Sequence, residues 1–153
     1  MSQILPSAAL QPLLRPSNWA IEQLPGLNSR DQTQLKGSGI DTTFQLLNAT
    51  RTSAQRQALA TRLQLHLRHI NKWVALADLA RVPAIGCQYC GLVLHAGISS
   101  PQQLAQTPLA RLHRQILKLY VAMLQQPNLC PRLDEVATWI EQAKQISPIR
   151  PSR

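Results

Sequence analysis

Apolar residues recur along this chain at helical spacing. Leu59, Leu63, Ile70 and Val74 fall at i, i+4, i+11 and i+15, one face of a long helix predicted over 50–70 and beyond. If that helix is unbroken, Arg62, His66, His69 and Trp73 line an adjacent stripe. Upstream, Ala20, Ile21 and Leu24 give an apolar face to a helix for which Ser17 is the expected N-cap, with Trp19 in its first turn. Pro25-Gly26 breaks it. Asn28 or Ser29 starts the next helix, Gly37-Ser38-Gly39 stops it, and Thr42 caps a short helix through Leu47. The second half predicts a helix over 78–82, a turn over 83–86 and a helix over 87–95. Gly97 is the next stop. Ser99 or Ser100 then caps a helix with Pro101 at its first position, followed by a long helix over 109–124.

The two halves are one pattern written twice. Shifted by 58 positions, residues 21–47 lie on 79–105 without a gap. Pro25 meets Pro83, Gly39 meets Gly97, Ile40 meets Ile98, and Gln45-Leu46 meet Gln103-Leu104. Arg56, Gln57 and Leu59 continue onto Arg114, Gln115 and Leu117. Later the shift grows to 66, where Trp73, Val74 and Ala77 meet Trp139, Ile140 and Ala143. The difference of 8 residues is accounted for by the loop QQPNLCPR, present only in the second copy. Repeats of this length are the first organising feature to read from a chain. They predict an all-α fold of two related units packed into one globule, about nine or ten helices in all. An N-terminal arm spans 1–16, the first unit 17–77, the second unit 78–146, and a basic proline-containing tail 147–153. Trp73 and Trp139, at equivalent positions, are expected to anchor the core of their units.

Composition adds a charge imbalance. Sixteen Lys and Arg face 7 Asp and Glu, a formal net charge of +9, yet charged residues make up only 15% of the chain. A typical domain has about 25%, so the chain is poor in acids more than rich in bases. No acid occurs in 42–77 or in 79–133, and each stretch carries its own Arg and Lys residues. Such a field attracts polyanions. No apolar run is long enough to span a bilayer, and the N-terminus has no secretory pattern. Three cysteines, an odd count, do not suggest a disulfide framework. A soluble, cytoplasmic protein is expected.

The segments LPGLNSR and VPAIGCQ resemble the hairpin of the helix-hairpin-helix superfamily, whose usual core reads Pro-Gly-Ile-Gly. LKGSGIDTTFQL and VLHAGISSPQQL resemble the segment that follows it in tandem versions. More narrowly, VPAIG, AGI, QQLA and the closing VATWIEQAK resemble a domain-of-unknown-function family, common in cyanobacteria, built from such tandem units. The superfamily resemblance implies nucleic-acid contact in which backbone N–H groups at the second helix's N-terminus hold a phosphate and a nearby cation completes the contact. Such binding positions a protein without reading bases. Carried over, the first hairpin offers Gly26, Leu27, Asn28 and Ser29 with Arg30 as the cation; the second offers Ala84, Ile85, Gly86 and Cys87. Arg62 and Lys72 would add charge from the acid-free helices. Asn28 stands where a glycine is usual, its tolerance of the left-handed region keeping the turn viable. Ala84 also replaces a glycine, and Gln88 stands where a cation would help. The resemblance equally implies a packing or protein-docking use.

Other chemistry is sparse. Cys87-Gln88-Tyr89-Cys90 is a CxxC at a helix N-terminus, a place that lowers thiol pKa and suits redox or zinc chemistry. It has no second CxxC, and Cys90 sits where a small buried residue is usual, so a structural role is expected. His66 and His69 have ligand spacing, but the cations Arg62 and Lys72 oppose a metal. No nucleophile elbow, phosphate loop or metalloprotease helix is present. The expectation is a non-enzymatic binding module without cofactor, its partner a protein or nucleoprotein assembly. The alternatives are a sequence-independent DNA- or RNA-binding protein and a small redox or zinc protein centred on the CxxC.

Overall fold

The computed structural model describes residues 14–124 and 129–146; most of the N-terminal arm, part of the inserted loop and the basic tail lie outside the described residues. The protein is all-α. A single 3-10 turn, Ile21–Gln23, precedes α1 (Ser29–Gly37), α2 (Thr43–Asn48), α3 (Ser53–Leu63) and α4 (Leu67–Ala80). Then come α5 (Gly86–His95), α6 (Pro101–Ala105), α7 (Leu109–Leu119), a π turn (Tyr120–Leu124) and α8 (Leu133–Lys144). No strand occurs among the described residues.

Local chemistry sets most of these boundaries. Thr42 Oγ1 accepts the Gln45 N–H while Gln45 Oε1 accepts the Thr42 N–H, a reciprocal capping box. Fifty-eight positions on, Ser100 Oγ accepts the Gln103 N–H, and Gln103 Oε1 accepts the Ser99 N–H. Pro101 follows Ser100 at the first helical position, where its missing N–H costs nothing. Thr52 and Gln55 form another box at the start of α3.

Three expectations fail locally. The continuous helix over 50–70 is interrupted: α3 closes at Gln64, which adopts φ +57°, and the Leu65 N–H returns to the Ala60 carbonyl at 2.9 Å. That turn satisfies terminal carbonyls of α3 and tucks Leu65 and Leu67 against the core. His66 then caps α4 through Nδ1, which accepts the Arg68 N–H at 3.1 Å. Arg62, His66, His69 and Trp73 therefore do not share one stripe. Second, Ser17 caps nothing; its N–H is bound to the Arg81 carbonyl at 2.8 Å, and only the single 3-10 turn follows. Third, 78–82 is not a separate helix, because α4 continues through Asp78 to Ala80.

Packing is similar in the two halves. Helix α4 lies on α2 and α3, α8 lies on α6 and α7, and α4 and α5 pack together across the turn that joins them. Trp73 and Trp139 are both buried, as are Leu35, Leu46, Ile70, Leu104, Leu112 and Ile116. Arg81, at the end of α4, is buried and paired with Asp78 at 2.6 Å. Burial pushes the Asp78 carboxyl upward, with Arg81 opposing the shift.

Candidate interaction site

In the first hairpin Gly26 takes φ +85°, with open space where a Cβ would stand. Asn28 is not left-handed. It is extended (φ −84°, ψ 175°), and its Oδ1 accepts the Asp31 N–H at 2.8 Å. Asp31 Oδ2 in turn accepts the Asn28 N–H. The carboxylate of Asp31 thus stands at the N-terminus of α1, where the helix field favours an anion. Leu27 is half-buried, while Ser29 and Arg30 are exposed. Pro25 points inward, its Cγ 3.5 Å from the position a Gly91 Cβ would occupy on α5.

The second hairpin is more enclosed. The Ala84 N–H is bound to Gln142 Oε1 of α8 at 2.8 Å. The Ile85 and Gly86 N–H groups both turn back to the Val82 carbonyl at 2.9 Å. Ile85 and Gly86 are buried; Cys87 is half-buried. Gly86 takes φ +53°, and a Cβ there would lie 2.8 Å from Cζ2 of Trp19. Trp19 is held by its indole N–H, which donates to the Ala80 carbonyl at 2.8 Å. Its backbone is fixed on α2 by paired bonds with Thr43. Trp19 joins the segment before α1 to the turn between α4 and α5.

The carried-over cations stand on three different helices. Arg30 lies on α1, Arg62 on α3 and Lys72 on α4, all exposed. Among the described residues none of the three forms an ion pair.

Exposed apolar side chains concentrate in a different part of the chain. Among the described residues the exposed large apolar ones are Leu117 (37%), Val121 (53%), Met123 (64%), Leu129 (58%) and Leu133 (50%). All fall within 117–133, around the π turn and the inserted loop. Beside them a groove runs between α5, with Gly91, Leu92 and His95, and the end of α7, with Leu119, Tyr120 and Met123. The one sequence signal for this surface is that QQPNLCPR has no counterpart in the first copy.

A family model described as Domain of unknown function (DUF4332) matches residues 25–146. The chain belongs to that family. The match takes in both hairpins, both core tryptophans and the exposed apolar rim. No curated protein and no solved structure matches the chain.

In this DUF4332 chain all three cysteines are unpaired. Burial pushes the Cys87 thiol up to about 11 and the Cys90 thiol up to about 12, the neighbouring Cys87 adding to the latter. Desolvation therefore outweighs the helix N-terminus, reversing the expected direction. Among the described residues no group of three His, Cys, Asp or Glu could hold a metal. At pH 8, iodoacetamide should alkylate Cys87 and Cys90 of the folded protein at least about tenfold more slowly than a free thiol. Modification at the free-thiol rate, followed by peptide mass spectrometry, would contradict this assignment.

Proposed function

We propose that this DUF4332 protein is a non-enzymatic tandem helix-hairpin-helix module that docks on a protein or nucleoprotein assembly. The observation that carries the proposal is the set of exposed apolar side chains between Leu117 and Leu133, whereas the other large apolar groups among the described residues are buried wholly or in part. Exposed apolar side chains concentrated in one segment support an interaction surface there. The hairpins support the reading from the other side. In the first, the chain's own Asp31 takes the place of an external anion. In the second, Trp19 covers Gly86, and Gln142 takes the Ala84 N–H. Both hairpins serve as internal clasps. Three unpaired thiols suit a reducing compartment, consistent with a cytoplasmic protein. No helix among the described residues is long and apolar enough to cross a membrane.

A second reading, sequence-independent nucleic-acid binding, draws on Arg62 and Lys72, which stand exposed in acid-free helices. Fluorescence anisotropy separates the two. With short single- and double-stranded DNA and RNA in about 0.15 M salt, the docking reading expects weak binding that Arg30→Glu changes by less than about twofold. Micromolar or tighter binding that falls steeply with salt and by more than about tenfold in Arg30→Glu would replace docking by the phosphate-hairpin mechanism.

A further inference from the structure

We infer that the exposed basic face of α7, with the polar cleft beside it, binds an extended acidic segment of another protein. The inference rests on the reading of the chain as a docking module and gives it a face other than the exposed apolar side chains. Arg111, Arg114, Gln115 and Lys118 fall within an arc of about 100° on α7. Leu112 and Ile116 occupy the other, buried side. The cleft is lined by Gly97, Gln103, Gln106 and Thr107, and by Arg111 and Gln115 of this same face. Gln103 is already engaged: its Nε2 donates to the Gly97 carbonyl at 3.1 Å and its Oε1 accepts the Ser99 N–H at 2.9 Å. Among the described residues the side chains of Gln106, Arg111, Arg114, Gln115 and Lys118 form no hydrogen bond or ion pair. Glu141 lines an adjoining hollow that shares Pro108, and Lys144 pairs with it there at 3.1 Å.

The fold does not ask for these groups. Fifty-eight positions earlier, the matching helix of the first copy has Ser53 for Arg111 and buried Ala60 for Lys118. Arg56, which matches Arg114, is turned onto the Thr50 carbonyl and Asn71. At these positions only the second copy presents a row of unpaired cations. Their complement carries carboxylates at matching intervals. Arg111, Arg114 and Lys118 follow one another at rises of about 4.5 and 6 Å. Alternate side chains of an extended peptide share one face at about 6.6 Å, so every second residue can meet a cation. The free amides of Gln106 and Gln115 offer both N–H donors and a C=O acceptor, as a peptide backbone does. A phosphodiester offers them acceptors alone, which favours protein over nucleic acid. A second copy of the chain does not supply the acids. Of the seven, Glu22 is engaged with Lys36, Asp31 with the Asn28 N–H, Asp78 with Arg81, Asp134 and Glu135 with Arg132, and Glu141 with Lys144. Only Asp41 is left.

The probe is a phage-displayed library of random dodecapeptides, panned on the full folded chain. Counter-selection uses Arg111→Ser/Lys118→Ala, which carries the first copy's residues at both positions. Enriched sequences should carry Asp or Glu at alternate positions. A synthetic representative should bind Arg111→Ser/Lys118→Ala about tenfold more weakly than the wild type, and should lose affinity as salt rises. Gln106→Ala/Gln115→Ala, which leaves every charge in place, should weaken it about threefold. Met123→Ala should leave it unchanged. All these side chains are exposed or half-exposed, so the variants should melt with the wild type by circular dichroism. No enrichment over the counter-selection overturns the inference and leaves docking at the apolar side chains of 117–133 standing. Enriched peptides that lack acids, or that lose binding to Met123→Ala, overturn it as well. Single-stranded DNA or RNA that binds more tightly than the peptide, and is released by Arg111→Ser/Lys118→Ala, overturns the class of partner.

Discussion

Replacing Trp139 by alanine should lower the unfolding free energy by about 3–5 kcal/mol, the range seen when a large buried aromatic is truncated. Trp139 is 1% exposed and the largest of the fully buried side chains. It faces Tyr89 of α5, with ring centroids 5.0 Å apart and planes tilted by 41°. That contact adds to the transfer term by about 0.5–1.5 kcal/mol. It also ties α8 to α5, so the cavity would open at a junction between helices, where little can collapse into it. Natural domains of this size hold only about 5–15 kcal/mol in total. The melting temperature should therefore fall by about 10 °C. Urea unfolding followed by circular dichroism reads the change directly. A loss below about 1 kcal/mol would mean that α8 is not integral to the core.

A second large loss is expected at Gly86. Gly86→Val should cost about 3 kcal/mol, because a β-branched residue must take φ +53° and its Cβ would meet the Trp19 ring at 2.8 Å. The two causes can be separated. Gly86→Ala bears both, at smaller size. In a Trp19→Ala background the backbone strain remains, but the indole is gone. The cost of Gly86→Ala should then be smaller by about 1 kcal/mol, a coupling measurable in a double-mutant cycle. Equal costs in both backgrounds would show that the ring is not the obstacle, and the clasp between the first unit and the second hairpin would lose its main support.

These two sites differ in how far the sequence announces them. Trp139 is legible: it matches Trp73 in the repeat and sits at helical spacing with Val136 and Ile140. The caps at Thr42 and Ser100 are legible too, because their chemistry lies within four residues. The clasp is not. Trp19 and Gly86 are far apart in sequence, and nothing near either residue names the other. Gln64 is equally silent. A glutamine at positive φ carries no local signature, and its turn is held by packing of Leu65 and Leu67. The left-handed turn expected at Asn28 gives way to an N-cap, the helix start also expected at Asn28 or Ser29, because Asn-Ser-Arg-Asp places a capping partner at N3. Val121 and Met123 fall in the helix expected over 109–124 and Leu129 in the inserted loop, and periodicity shows that residues share a face but not whether anything covers it. The resemblance points to the hairpins; the exposed apolar side chains lie elsewhere, at 117–133.

The clasp also orders events during synthesis. The partner of the Trp19 indole, Ala80, lies 61 residues downstream. At about 5–20 residues per second, the ribosome takes roughly 3 to 12 seconds to add that stretch. Until then the Trp19 backbone can pair with Thr43, and Ile21 with Asp41, but the indole has no acceptor and its ring no turn to cover. The segment made first is fastened only when the end of α4 has been made.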